Sequence, residues 1–201
     1  MLTKEQAMYE LKIAAANNPG PWEQHSLSSA ENARRIAEKV PGMDSEKAYI
    51  MGLLHDIGRR VGITGMLHLI DGYEYMMSLD EPELAAICLT HSYPVKNADY
   101  FEGKHDCTPG QKAFIQNFLD THEYDDYDKL IQLCDAISLP EGACIMEKRF
   151  VDVALRHGIR DYTTTRWRGY LELKKYFDSL CGCDIYTLLP GIMENSMADL
   201  T

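Results

Sequence analysis

The chain has 201 residues, 45% apolar and 25% charged, a balance that supports a real hydrophobic core and excludes a disordered chain or a small stapled scaffold. Lys and Arg number 20 against 31 Asp and Glu, a formal net charge of −11, and no block of Lys and Arg forms a stripe that would follow a phosphate backbone. The start Met1-Leu2-Thr3-Lys4-Glu5-Gln6 lacks the apolar core of a signal peptide and no uncharged run is long enough to cross a bilayer, so neither nucleic acid nor membrane is an expected partner and a cytoplasmic protein is expected.

The periodicity is helical almost throughout. Thr3-x-x-Gln6 is a capping box that opens a first helix, which ends before Asn17-Asn18-Pro19-Gly20-Pro21. A second helix is expected from about His25 to Lys39, with Leu27, Ala30, Ile36, Ala37 and Val40 on one apolar face and Pro41-Gly42 as its stop. A third begins near Asp44-Ser45, carries Ala48, Met51 and His55 on one face, and stops at Gly58. Gly62 and Gly65 precede a helix near Met66 to Ser78 in which Leu69, Ile70, Tyr73 and Met77 are expected to face inward, with His68 elsewhere on its surface. Pro82 suits a first helical turn, and Leu84, Ile87, Cys88 and His91 share a face that runs down to Pro94.

Tyr93 to Cys107 has no clear period and reads as a long loop; Thr108-Pro109-Gly110-Gln111 then gives an N-cap, a first-turn proline and a capping-box glutamine. Helices are expected near Gln111 to Thr121, Tyr127 to Ser138, Gly142 to His157 and Thr165 to Leu180, with no strand of useful length. The fold class is all-α, and the absence of a repeat or linker makes one domain over 1–201 the simplest division. The six cysteines are scattered and lack paired zinc-knuckle spacings, so reduced structural thiols are expected, the close pair Cys181-Gly182-Cys183 included.

The adjacent pair His55-Asp56 sits at the end of an apolar helix pattern, Leu53-Leu54-His55-Asp56-Ile57-Gly58-Arg59. Burying both without partners costs several kcal/mol, roughly, whereas a divalent cation satisfies both at once. His25, His91 and Asp135 are likewise polar ligands at ends or faces of apolar helices, and each taken alone is as well explained by a private hydrogen bond. Together they converge on one question, whether they share a metal.

His25, then His55-Asp56 after 30 residues, then Asp135 in Leu133-Cys134-Asp135-Ala136-Ile137 resembles the H…HD…D signature of the HD-domain metal-dependent phosphohydrolases. The resemblance covers roughly residues 20–140 and implies an all-α helical bundle in which His25, His55, Asp56 and Asp135 bind a divalent metal, with 141–201 as a C-terminal helical extension. Two-metal members add two histidines between the HD pair and the last Asp, and His68 and His91 fall in those slots, 23 residues apart. This resembles the bacterial HD-type diadenosine tetraphosphate hydrolases and the cyclic-di-GMP phosphodiesterases with an HDIGK motif. Arg59 stands where that motif has lysine, Thr90-His91-Ser92-Tyr93 offers one histidine where the cyclic-dinucleotide branch has two, and no Gly-Tyr-Pro follows, which argues against cyclic-di-GMP.

The ligand set implied is imidazole and carboxylate without thiolate, which suits one or two ions of Mn, Fe, Co, Ni, Zn or Mg. The activity implied is hydrolysis of a nucleotide or other small phosphate ester through a metal-activated water, with Asp56 bridging if two metals bind. Arg59 is expected to hold a phosphoryl oxygen beside Asp56, with Lys96 as a second substrate contact. Arg60 and Lys104 read as solvated, and Lys148, Arg149, Arg156, Arg160, Arg166 and Arg168 as a solvated face or subunit contact. Tyr93, Tyr100 and Phe101 are expected to pack locally rather than stack on a base. The competing classes are a diiron oxygenase of the same fold and a non-catalytic nucleotide-sensing module; a homo-oligomer is left open.

Overall fold

A computed structural model describes residues 1–198, and it is all-α apart from one two-stranded hairpin. Ten α-helices are formed among the described residues: α1 (Lys4–Asn17), α2 (Trp22–Ala37), α3 (Ser45–Leu54), α4 (Leu67–Ser78), α5 (Pro82–Thr90), α6 (Pro109–Thr121), α7 (Asp126–Ala136), α8 (Met146–His157), α9 (Thr163–Cys181) and α10 (Ile192–Met197). Both expected capping boxes are made: the Thr3 hydroxyl accepts from the Gln6 amide at 3.2 Å, and the Thr108 hydroxyl from the Gln111 amide at 3.2 Å. Among the described residues, no helix is long and apolar enough to cross a membrane.

The core lies where α2 packs against α3, with α1 and α7 alongside. The two backbones approach closely because residue 52 is glycine: a Cβ there would lie 2.8 Å from the Ala30 Cα. Ile36, Leu53, Leu54 and Leu130 are buried in this core together with Phe177 and Ile185 from the C-terminal segment. Burial of each large aliphatic side chain contributes about 1.5–3 kcal/mol. A second apolar cluster, built on Met66, Leu69, Leu89, Tyr93 and Ile115, lies under α4, α5 and α6.

Several boundaries differ from the pattern. Helix α2 begins at Trp22, so His25 stands in the first turn instead of opening the helix. Helix α3 ends at Leu54, and Ile57–Val61 continues as a tight 3-10 turn past the point where a single helix ran to Gly58 by period alone. On α4 it is Met76 that is buried, while Met77 is 45% exposed, because the helix packs through 66, 69, 70 and 76. The expected helix ends at Ser138 and Gly142 are instead an antiparallel hairpin, Ser138–Leu139 with Gly142–Ala143. Pro140 cannot continue a helix, and Gly142 takes φ +134°, a conformation that favours glycine. Helix α10 and the 3-10 turn Ile185–Leu188 were not foreseen from the periodicity.

Candidate metal centre

Five helices deliver six ligand-type side chains to one point. His25 comes from the first turn of α2, His55 and Asp56 from the end of α3, His68 from the first turn of α4, His91 from the end of α5 and Asp135 from the last turn of α7. Asp56 leaves the helical conformation with φ −102° and ψ 15°, which turns its carboxylate toward the centre that His55 already faces. The turn after it lies directly against α4: a Cβ on Gly58 would sit 1.9 Å from the His68 carbonyl oxygen, so only glycine allows this contact. The start of α4 is held by Asp106, whose carboxylate accepts from the amides of Gly65 at 2.7 Å and Leu67 at 2.9 Å. Partial burial pushes the Asp106 carboxyl up, and these amide donors outweigh it and hold it below the usual range. The end of α5 is pinned to α7, where the Thr90 hydroxyl donates to Asp128 at 2.7 Å and Gln132 donates to the Thr90 carbonyl at 3.2 Å.

The two oxygens of Asp56 face different neighbours. Oδ1 lies 3.1 Å from His68 Nε2 and 3.6 Å from His91 Nε2. Oδ2 lies 3.9 Å from His55 Nε2 and accepts from Arg59 Nε at 2.6 Å. Asp135 Oδ1 lies 2.9 Å from His25 Nε2 and 3.8 Å from His55 Nε2. All four imidazoles and Asp56 are at most 7% exposed. Two overlapping groups have their donor atoms within 4.8 Å of one another, His25 with His55 and Asp135, and His55 with Asp56 and His91.

The tautomers decide what this cluster is for. His55 Nδ1 pairs with the Gly52 carbonyl at 2.7 Å, His68 Nδ1 with the Gly65 carbonyl at 2.6 Å and His91 Nδ1 with the Ile87 carbonyl at 3.1 Å. A carbonyl only accepts, so each Nδ1 carries the proton, and in a neutral ring each Nε2 then presents a lone pair to the centre. Burial pulls the His91 pKa down to about 3, so the ring is neutral. His25 is also pulled down by burial, against the pull of Asp135. Burial raises the Asp56 carboxyl, but the Arg59 guanidinium beside it holds it well below the usual range, so it is ionised.

The centre therefore brings the inward ring nitrogens together on a carboxylate: His68 Nε2 lies 3.5 Å from His91 Nε2 and both face Asp56 Oδ1. His55 Nε2 and Asp56 Oδ1 are buried without a hydrogen-bond partner. Unpaired buried polar atoms of this kind cost about 1–3 kcal/mol each, more when charged. A divalent cation turns the same contacts from repulsive to attractive, and the anchored Nδ1 atoms are the outer hydrogen bonds that metal-ligating histidines use. The residues present fit a metal.

The centre opens into a cavity of about 670 Å³. Arg59 lines it, partly exposed, with Nη1 and Nη2 free of protein partners among the described residues. Lys96, expected at the substrate, lies away from the cavity lining: its ammonium donates to the His122 carbonyl at 2.7 Å and sits over the Tyr124 ring. Arg60 covers the Tyr75 ring. Tyr93 is buried in the second apolar cluster and Tyr100 stacks on Tyr162, whereas Phe101 reaches the cavity.

The other side of the cavity corrects the sequence reading. Lys148, Arg149 and Arg166 were expected on a solvated face or subunit contact and instead line the cavity; Arg156 lines it while staying exposed, and Arg160 and Arg168 are exposed as expected. Arg149, Asp152, Val153 and Arg156 repeat at three and four residues, so α8 turns one mixed face inward. That spacing was the available signal. Six cysteines are free, with Cys88, Cys134 and Cys144 buried, and none belongs to the centre.

Comparison with family models matches the HD domain over residues 22–139, which spans every residue of the six-ligand cluster and stops before α8. Neither the curated proteins nor the solved structures yield a match. With the match covering more than half of the chain, and with a buried His/Asp cluster fit to hold metal, the chain belongs to the HD domain family, a superfamily of metal-dependent hydrolase type.

Proposed function

We propose that the chain is a metal-dependent phosphohydrolase acting on a nucleotide or other small phosphate ester. The observation that carries the reading is the set of Nε2 atoms of His55, His68 and His91, each ring held at Nδ1 by a backbone carbonyl, turned onto Asp56, whose Oδ1 has no hydrogen-bond donor. His25, His55, Asp56 and Asp135 would hold one divalent ion and Asp56, His68 and His91 a second, drawn from Mn, Fe, Co, Ni, Zn or Mg. When bound, such ions supply Lewis acidity, making a water acidic near neutral pH and drawing charge from the phosphoryl oxygens.

The chain's own residues do the rest. Arg59 donates Nε to Asp56 Oδ2 at 2.6 Å, which fixes the carboxylate, and offers its two remaining nitrogens to a phosphoryl oxygen as a charged fork. Trp22, Phe101 and Phe150 line the cavity and limit water, which strengthens each polar contact made there. The cavity volume suits a small molecule.

The test is a screen of phosphate esters and nucleotides with protein reconstituted in each of the six metals. Phosphate release that is lost in His55→Ala and Asp56→Ala is expected. Oxygen consumption with iron and no phosphate release from any ester would replace this reading with the oxygenase one, and tight nucleotide binding at full metal loading without turnover would replace it with the sensing one.

A further inference from the structure

Arg166 has a peculiar environment. It stands on α9, outside the matched family region, and is 5% exposed, yet every partner it has among the described residues is neutral. Nη1 donates to the Tyr100 carbonyl, and Nη2 donates to the Ser92 carbonyl at 3.3 Å and the Tyr170 hydroxyl at 3.1 Å. Nε is buried with no partner. Glu102 and Asp135 lie near enough to favour the charge, and neither pairs with it. A guanidinium held so far from water without a counterion is costly, and a fold keeps one where something anionic arrives.

Arg149, on α8, is partly buried and lines the same cavity. Its Nη1 reaches Asp152 at 2.7 Å and its Nε is buried without a partner. Asp152 also accepts from Arg156 Nη2 at 2.7 Å, so one carboxylate answers two guanidiniums and the wall keeps net positive charge in a chain of net charge −11. Two guanidiniums, neither with a carboxylate of its own among the described residues, thus line the cavity onto which the His/Asp centre also opens.

We infer that Arg166 and Arg149 form an oxyanion subsite that holds a second phosphate or carboxylate of the substrate while its reacting phosphate lies at the His/Asp centre. The substrate class is therefore a small phosphate ester with a second anionic group. This rests on the phosphohydrolase reading of the centre, although the subsite itself binds without metal.

The experiment is titration calorimetry of the full-length chain, as purified and after treatment with chelator, with inorganic phosphate in one arm and acetate in the other. Binding that survives chelation is expected, and the arm that shows it names the group. Affinity in that arm should fall at least tenfold in Arg149→Gln and in Arg166→Gln, with the melting temperature of Arg149→Gln unchanged. Because Arg166 also ties down the carbonyls of Ser92 and Tyr100, Arg149→Gln and the wild type decide the matter if Arg166→Gln does not fold. Absence of chelator-resistant binding of either anion to the wild type, or unchanged affinity in Arg149→Gln, overturns the subsite. Chelator-resistant binding in a protein that releases phosphate from no ester upholds the subsite and removes the phosphohydrolase reading; phosphate release without such binding does the reverse.

Discussion

Across the cavity, the wall built from α2, α3, α4, α5 and α7 presents mostly lone pairs, and the wall built from α8 and α9 presents mostly donors. On the first wall four imidazoles and two carboxylates converge within a few ångströms, three of the rings locked by backbone carbonyls. On the second, guanidiniums are spread along two helices, tied to carbonyls and to one shared carboxylate. Lone pairs so arranged attract a cation, and donors so arranged attract an anion. On the function proposed here the first wall would hold metal, with Arg59 at its edge, and the second would hold a further anionic group of the substrate, and each role can be broken separately.

The largest expected effect is on the first wall. Asp56→Ala removes the carboxylate that faces both ligand groups, and metal affinity should fall by about a hundredfold or more, above the 10–100-fold seen when only an outer partner is lost. Metal content after gel filtration checks it, and retention of metal at the wild-type level would break the comparison. Gly58→Ala is next: its Cβ meets the His68 carbonyl at 1.9 Å, so the turn and α4 must separate. A loss of about 1–3 kcal/mol in urea unfolding is expected, together with weaker metal binding, because His68 moves with α4.

Arg149→Gln acts on the second wall and should raise KM for a doubly anionic substrate about tenfold, the size of one charged hydrogen bond, with metal content unchanged. Loss of metal in this variant would merge the two walls into one function. The smallest effect belongs to Asp106→Ala, which frees the amides of Gly65 and Leu67 at the start of α4 and should cost about 1 kcal/mol. The Asp106 carboxyl is held low when folded, so its contribution is present above the unfolded pKa of about 3.9 and is lost as pH falls through the folded value. Urea titrations of wild type and Asp106→Ala should thus converge below that pH and differ above it.

The first wall was legible in the sequence because its residues carry local signals. His55 and Asp56 are adjacent polar residues at an apolar helix end, and His91 closes a helix whose other inward residues are Leu84, Ile87 and Cys88. His68 carried less: its surroundings on α4 suggested nothing, and its role depends on Gly58 and Asp106, which set where α4 begins and how close it lies. Capping boxes were readable because Thr3 with Gln6 and Thr108 with Gln111 act over three residues. The hairpin at Ser138 to Ala143 was not, since two-residue strands have no period to detect.

The second wall was misread for a physical reason. Arg149 and Arg166 look like surface cations until packing is known, because burial of an arginine is set by what α8 and α9 fold against, in this case the loop after His91 and the open end of the centre. Lys96, expected at the substrate, follows the chain outward, where its ammonium donates to the His122 carbonyl.

The central claim is that the imidazole Nε2 atoms turned onto Asp56 form a divalent metal centre with it. Elemental analysis of the full-length chain, purified without chelator and reconstituted with each of Mn, Fe, Co, Ni, Zn and Mg, tests it most directly. Two ions per chain with at least one of these metals, falling to one in His68→Ala, is the predicted result; no retained ion with any of them would contradict it.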